Sequence, residues 1–164
     1  MNPVSSIRWG DPAEQCAPAS RRPGVVFSRE DSLGSESKAA APSILLVEDD
    51  FLIAMQIETA FAGAGLGLVG IASSAEEAVE MAAVHRPVLA IMDIRLAGKR
   101  DGIDAALELF RDYGIRCIFA TAHSDPDTSR RAAPARPLGW LQKPYTMTSL
   151  IEAVQAAFVE LGLD

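Results

Sequence analysis

Residues 44–50 of the chain read ILLVEDD, and residues 88–93 read VLAIMD. Each is a short apolar run that ends in one or more carboxylates. Runs of this length, bounded by polar residues, are typical of buried strands in a parallel sheet. The carboxyl ends of such strands meet at one edge of the sheet, where open α/β folds place their sites. We therefore expect Glu48, Asp49 and Asp93 to lie together at a functional edge.

Strand-like and helix-like segments alternate from residue 43 onward. Apolar runs predict strands at residues 44–47, 66–72, 88–93, 115–121 and 139–142. Apolar residues at helical spacing predict the first, third and fifth helices, and capping signals predict the second and fourth, so that a helix follows each strand. Five strands alternating with five helices predict an α/β fold, a doubly wound parallel sheet covered on both faces.

Local signals mark where these helices begin and end. Gly63 and Gly65 are expected to end the first helix. Ser74 and Glu77 have the spacing of a capping box at the start of the second. The fourth helix is expected to be short or irregular, because the segment 134–137 begins and ends with proline.

Charge and composition divide the chain in two. Residues 1–42 are rich in Pro, Ser, Ala, Gly and Arg and hold five basic and five acidic side chains, whereas residues 43–164 hold ten basic and 17 acidic ones. The first segment is predicted to be a flexible, disordered extension, because it has too few apolar residues to offset the entropy of ordering. The second is predicted to be one domain, and its acidity argues against direct nucleic-acid binding.

Several features predict a cytoplasmic location. No apolar run approaches the 18 residues of a membrane span, and the N-terminus lacks the order of a signal peptide. Cys16 and Cys117 are the only cysteines. One lies in the extension and the other in a predicted strand, so a disulfide is not expected and a reducing compartment is favoured.

The predicted acid cluster requires compensation. Two like charges about 4 Å apart repel by roughly 4 kcal/mol at an effective dielectric constant of 20. Either one carboxyl is protonated or a cation lies among them. Oxygen ligands suit Mg²⁺ better than zinc, which prefers His and Cys, so we expect a magnesium site with Mn²⁺ as an alternative occupant.

Residues 43–164 resemble the receiver domain of bacterial two-component response regulators, of the single-domain, stand-alone type. The resemblance rests on an acid pair after strand one, an Asp after strand three, a Thr after strand four and a Lys-Pro after strand five. Here these are Glu48-Asp49, Asp93, Thr121 and Lys143-Pro144, and the successive gaps from Asp49 are 44, 28 and 22 residues. Each match alone is weak, but four in order at strand ends are a strong signal. The resemblance implies a flavodoxin-like sheet with strand order 2-1-3-4-5.

The resemblance also implies a role for each of these residues. Asp93 would accept a phosphoryl group from a histidine kinase or a histidine phosphotransfer protein. Asp49 would bind Mg²⁺ directly, Glu48 through a water, and Asp93 and the backbone carbonyl of Arg95 would complete the set. Lys143 would pair with the phosphoryl group, and the bond before Pro144 would be cis.

Other residues would govern switching. Thr121 would donate to a phosphoryl oxygen, and Trp140, where the family usually has Tyr or Phe, would either swing inward with it or simply fill space beneath the fourth helix. Arg95 and His123 occupy positions that tune the phosphoryl lifetime in the family. Asp50 is expected to cap the first helix instead of joining the site.

The predicted function is therefore phosphorelay signal transduction, without enzymatic activity beyond self-phosphorylation and slow autodephosphorylation. The output would be a contact with a downstream protein, through the face of helix four, strand five and helix five, or passage of the phosphoryl group along a relay. Homodimerisation through that face is left open. A pseudo-receiver that never takes phosphate is the main alternative, although no acid, Thr or Lys is missing. An aspartyl-phosphate phosphohydrolase is disfavoured, because it would want an acid where Arg95 stands.

Overall fold

The computed structural model describes residues 42–122 and 125–163, and the predicted extension lies outside these ranges except for Pro42. The strands are Ser43–Val47 (β1), Gly67–Ala72 (β2), Leu89–Asp93 (β3), Arg116–Thr121 (β4) and Gly139–Gln142 (β5). The helices are Phe51–Ala64 (α1), Ala75–His85 (α2), Gly102–Tyr113 (α3), Pro126–Ala132 (α4) and Met147–Leu161 (α5). A 3₁₀ turn, Ala133–Ala135, follows α4 directly. Among the described residues, no helix has the length and apolar character needed to cross a membrane.

The five strands form one sheet in the order β2-β1-β3-β4-β5, and every neighbouring pair is parallel. This confirms the predicted fold class and strand order. Strand β3 lies at the centre, with Val47 opposite Met92 on one side and Ala120 opposite Asp93 on the other. Asp93 therefore leaves the sheet at the middle of its carboxyl edge.

The core has two layers, one on each face of the sheet. Alternate residues of β1 enter different layers: Leu45 and Val47 pack with α2 and α3, and Ile44 and Leu46 pack with α1 and α5. Because both faces of the strands are covered, the strands are apolar throughout and end in polar groups only at the edge.

The ends of α1 and α2 refine two predictions. Asp50 caps α1 by accepting hydrogen bonds from the amides of Leu52 and Ile53, as expected. The prediction that Gly63 helps to end α1 was wrong: the helix continues through it, and Gly65 ends it with φ 72°, a left-handed conformation that glycine adopts without strain.

The predicted capping box of α2 is only half formed. The Ser74 hydroxyl accepts from the Glu77 amide at 3.2 Å. The Glu77 carboxylate instead accepts from the amide and hydroxyl of Ser73, at 2.7 and 2.9 Å. Ser73 offers two donors to one carboxylate oxygen, whereas the backbone of Ser74 offers only one.

Candidate functional site

The carboxyl edge of the sheet brings the predicted acids together. Glu48 follows β1 and continues its pairing with β2, because its amide donates to the Ala72 carbonyl at 2.9 Å. Asp93 ends β3. Glu48, Asp49 and Asp93 each place a carboxylate oxygen within 4.8 Å of the others.

Lys143 reaches this group from the end of β5. Its Nζ donates to Asp93 Oδ2 at 2.6 Å and to Glu48 Oε2 at 3.0 Å. We call Lys143, Glu48 and Asp93 the buried ion-pair cluster, since both acids are almost fully buried and the lysine is only partly exposed. One cation thus compensates two carboxylates that otherwise repel each other.

Backbone amides hold the remaining oxygens of the two buried acids. The Asp50 amide donates to Glu48 Oε1 at 3.3 Å, and the Arg95 amide donates to Asp93 Oδ1 at 3.0 Å. In the described part of the chain, no hydrogen bond or ion pair engages the Asp49 carboxylate, which is exposed. Asp49 is therefore the acid of the group most accessible to an incoming cation.

Burial and charge shift the pKa values of this cluster. Burial raises the pKa of Glu48, and repulsion from Asp93 adds to the increase, while Lys143 opposes it. Burial acts to lower the pKa of Lys143, but its hydrogen bonds to Asp93 and Glu48 outweigh this effect and leave the pKa raised. The lysine therefore remains a cation at neutral pH.

Thr121 and Trp140 lie on β4 and β5, the two strands on one side of β3. Thr121 ends β4 and is buried, and its carbonyl accepts from the Lys143 amide at 2.8 Å. Trp140 in β5 is half-buried and stacks on Phe119, with ring centroids 4.8 Å apart. Trp140 thus packs against the core in this structure. The Lys143–Pro144 peptide bond is cis, as the resemblance implied.

The donor set fits Mg²⁺. Three carboxylates supply only oxygen, and hard divalent cations prefer such ligands. Both oxygens of Glu48 accept hydrogen bonds, whereas no described hydrogen bond or ion pair engages either oxygen of Asp49. Arg95 follows Asp93 closely enough to donate its amide, while its side chain points to solvent. His123 lies outside the described residues.

Two features of the site were missed in the sequence. The first is Gly102, which begins α3 and lies against Asp93: a Cβ on this residue would be 1.9 Å from the Asp93 carbonyl oxygen. The second is an apolar patch on α1 beside the acids. Phe51 is 72% exposed and Leu52 is 68% exposed, and Met55 extends the patch along the helix. The sequence offered one signal for this patch, because α1 has more apolar residues than one buried face requires.

Comparison with known proteins agrees with this geometry. Residues 44–155 match the model of the response regulator receiver domain. The chain is 37% identical over 124 residues to the transcriptional regulatory protein PdtaR of Mycobacterium tuberculosis, covering 75% of this chain and 60% of that protein. It is 35% identical over 133 residues to the phyllosphere-induced regulator PhyR of Methylorubrum extorquens, covering 79% and 49%. The chain thus spans between about half and three fifths of the length of these relatives.

Solved structures show the same fold. The signal receiver domain of a modulated diguanylate cyclase from Desulfovibrio desulfuricans superposes with a TM-score of 0.69 at 32% identity, covering 75% of this chain and 98% of that one. A CheY-like receiver domain protein from Methanospirillum hungatei also has a TM-score of 0.69, at 22% identity over 74% of this chain and 96% of its own. The second likeness concerns the fold alone.

Proposed function

The chain belongs to the family of response regulator receiver domains, and from this premise we propose that it is a phosphorelay switch in the cytoplasm, with Asp93 as phospho-acceptor. The observation that carries the proposal is the contact of Lys143 with Asp93 at 2.6 Å. Asp93 is a buried carboxylate at the centre of the sheet edge. Lys143 and the Arg95 amide hold it in one orientation, which suits a nucleophile that attacks a phosphoryl donor.

The proposed step is a phosphoryl transfer. A carboxylate oxygen of Asp93 forms a bond to phosphorus while the bond from phosphorus to the donor's imidazole nitrogen breaks, and that nitrogen keeps the electron pair. Such transfer depends on positioning and on neutralising charge. Lys143 supplies one positive charge, and its Nζ would exchange its contact with Asp93 Oδ2 for a phosphoryl oxygen.

The residues that would hold Mg²⁺ are Asp49 and Asp93 directly, Glu48 through a water, and the Arg95 carbonyl. The ion would neutralise phosphoryl oxygens during the transfer. Independently of it, Glu48 keeps Lys143 at the site, because the lysine bridges the two acids.

The switch would involve Thr121 and Trp140. A phosphoryl group brings about −1.5 to −2 units of charge to the edge. The Thr121 hydroxyl would turn toward it as donor, and Trp140 would respond through its packing on Phe119. Arg95 and His123 would influence how long the phosphoryl group survives.

The phosphoryl donor would be a sensor histidine kinase or a histidine phosphotransfer protein. A donor that reaches Asp93 must cover the rim of the edge, where α1 exposes Phe51, Leu52 and Met55. An open groove of about 490 Å³ continues from this patch to Met147 of α5. We propose that the donor docks here, and that the downstream protein, or a second copy of the chain, uses the face of α4, β5 and α5.

The test is incubation of the full chain with Mg²⁺ and acetyl phosphate, followed by intact mass, and by tryptophan fluorescence of Trp9→Phe, in which Trp140 is the one remaining tryptophan. We expect an adduct of about 80 Da on the wild type and none on Asp93→Asn. Removal of Mg²⁺ with EDTA should suppress the adduct. An undiminished adduct on Asp93→Asn would refute the assignment of Asp93. A wild type that gains no mass would favour a pseudo-receiver.

A further inference from the structure

A second ion-pair cluster lies beside the site, between α3 and α4. Arg131 of α4 donates from Nη1 to Asp101 Oδ2 at 2.9 Å and from Nη2 to Asp104 Oδ1 at 3.4 Å. We call Arg131, Asp101 and Asp104 the exposed ion-pair cluster, because all three side chains are substantially open to solvent. One guanidinium thus spans two carboxylates of the neighbouring helix.

These carboxylates are the two halves of a capping box. Asp101 Oδ1 accepts from the amides of Ile103 and Asp104, both at 3.0 Å, and Asp104 Oδ2 accepts from the Asp101 amide at 3.3 Å. Arg131 binds the oxygen that each acid leaves free. It therefore holds the start of α3 without competing with the cap.

The start of α3 is in direct contact with the phospho-acceptor. Gly102 follows Asp101, and its amide donates to the Ile94 carbonyl at 2.9 Å, which closes the acceptor loop (residues 94–101). The backbone of Gly102 packs so tightly on the Asp93 carbonyl that no side chain fits between them. A displacement of the N-terminal end of α3 must therefore either displace the backbone of Asp93 or be resisted by this contact.

Helix α4 has few other anchors. It is seven residues long, and Ala132 is its one buried residue. It follows the proposed switch residue Thr121 in the chain. With so little apolar burial, the position of α4 depends strongly on its polar contacts.

We propose that Arg131 is a positioning residue that couples α4 to the acceptor loop. Through Asp101 and Gly102 it transmits the position of α4 to the backbone of Asp93, and the reverse coupling is equal by thermodynamic linkage. The phosphorylation-dependent part of this inference rests on the proposed function. The coupling itself is a property of the unmodified protein.

The experiment is amide hydrogen exchange on the full chain, for wild type, Arg131→Ala, Arg131→Lys and Arg130→Ala. Arg130 is the matched control: it is adjacent on α4 and exposed, and it pairs with Asp127 inside the same helix. Without a phosphodonor, Arg131→Ala should speed exchange in the first turn of α3 by about two- to fivefold, the factor expected of an exposed ion pair. Arg131→Lys should restore part of the protection, and Arg130→Ala should leave it unchanged.

The same samples are then phosphorylated with acetyl phosphate and Mg²⁺. Phosphorylation should change exchange in α4 in the wild type and in Arg130→Ala, but less in Arg131→Ala, whose phosphoryl lifetime should also differ by about two- to fivefold. Equal behaviour of Arg131→Ala and Arg130→Ala would overturn the coupling. If the wild type takes no phosphoryl group, the proposed function fails, and the first measurement still decides whether Arg131 holds α3.

Discussion

The described part of the molecule contains the same charge arrangement twice, once buried and once exposed. In the buried ion-pair cluster, Lys143 bridges Glu48 and Asp93, with side-chain exposures of 22%, 3% and 9%. In the exposed ion-pair cluster, Arg131 bridges Asp101 and Asp104, with exposures of 53%, 33% and 43%. Each has one cation and two carboxylates, but their surroundings differ.

The difference in burial suits the two ion-pair clusters to different functions. In a buried cluster, desolvation of each charge is costly, and loss of one partner leaves the others uncompensated. Because the two carboxylates outnumber the one lysine, such a site favours the binding of a cation. An exposed cluster is screened by water and salt, and contributes little to folding. It can hold or release a neighbouring helix at little cost, which suits a coupling role.

The largest effect is expected where the two clusters meet, at Gly102. In Gly102→Ala the new methyl group would lie 1.9 Å from the Asp93 carbonyl oxygen, so the backbone of α3 or of β3 must move. Overpacking against rigid surroundings costs about 1–3 kcal/mol and sometimes more, and we expect about 3 kcal/mol here. Urea unfolding measures the loss, and phosphoryl uptake should fall with it.

Gly63→Ala is the matched control for this substitution. Gly63 also lies in a helix, but a Cβ there meets nothing within 4 Å. Alanine should therefore stabilise the protein by up to about 1 kcal/mol. If both variants shift stability in the same direction, the close contact between Gly102 and Asp93 is not rigid, and the link between the clusters is lost.

The next largest effect is expected when the cation of each ion-pair cluster is replaced by methionine. Lys143→Met leaves Glu48 and Asp93 facing each other without a cation, and should lower the free energy of unfolding by about 2 kcal/mol, somewhat below the range for a fully buried pair. Arg131→Met should lower it by less than about 1 kcal/mol. Urea unfolding of both variants at neutral pH, without metal, makes the comparison. Equal losses would mean that burial does not distinguish the clusters.

Much of the buried cluster was predictable from sequence, because its residues follow apolar runs. A parallel sheet brings strand ends together whatever the details of packing, so Glu48, Asp93 and Lys143 could be placed at one edge. The role of Asp50 as a helix cap followed from a similarly local signal, whereas the strand order was implied only by the family resemblance. The contact between Lys143 and Glu48 was not foreseen, because the resemblance directed the lysine only to the phosphoryl group.

The exposed cluster could not be predicted, because nothing local links Arg131 to Asp101 thirty residues earlier. Their contact depends on how α4 and α3 pack, and α4 is too short for its periodicity to indicate a face. Gly102 was missed for the same reason: its neighbour is a backbone carbonyl nine residues away. The prediction of a capping box at the start of α2 was half wrong. Ser73 and Ser74 both offer donors to the Glu77 carboxylate, and the sequence does not show which of them binds it.

The smallest expected effect is the change of stability with pH that the titration of Glu48 causes. Burial raises the pKa of Glu48 in the folded protein above its usual 4.5. The folded state therefore holds this proton more tightly than the unfolded state does, so stability falls as the pH rises from about the unfolded pKa through the folded one. Each unit of difference between the two pKa values corresponds to about 1.4 kcal/mol.

Glu48→Gln removes this titration while keeping the shape of the side chain. Urea unfolding of both proteins in EDTA, from below pH 4.5 to pH 8, should show the wild type losing stability relative to Glu48→Gln as the pH rises. Mg²⁺ should reduce this loss, because a cation among the acids favours their charged forms. A wild type that gains stability relative to the variant over this range would mean that the attraction of Lys143 outweighs burial, and the buried cluster would then resemble the exposed one in its energetics.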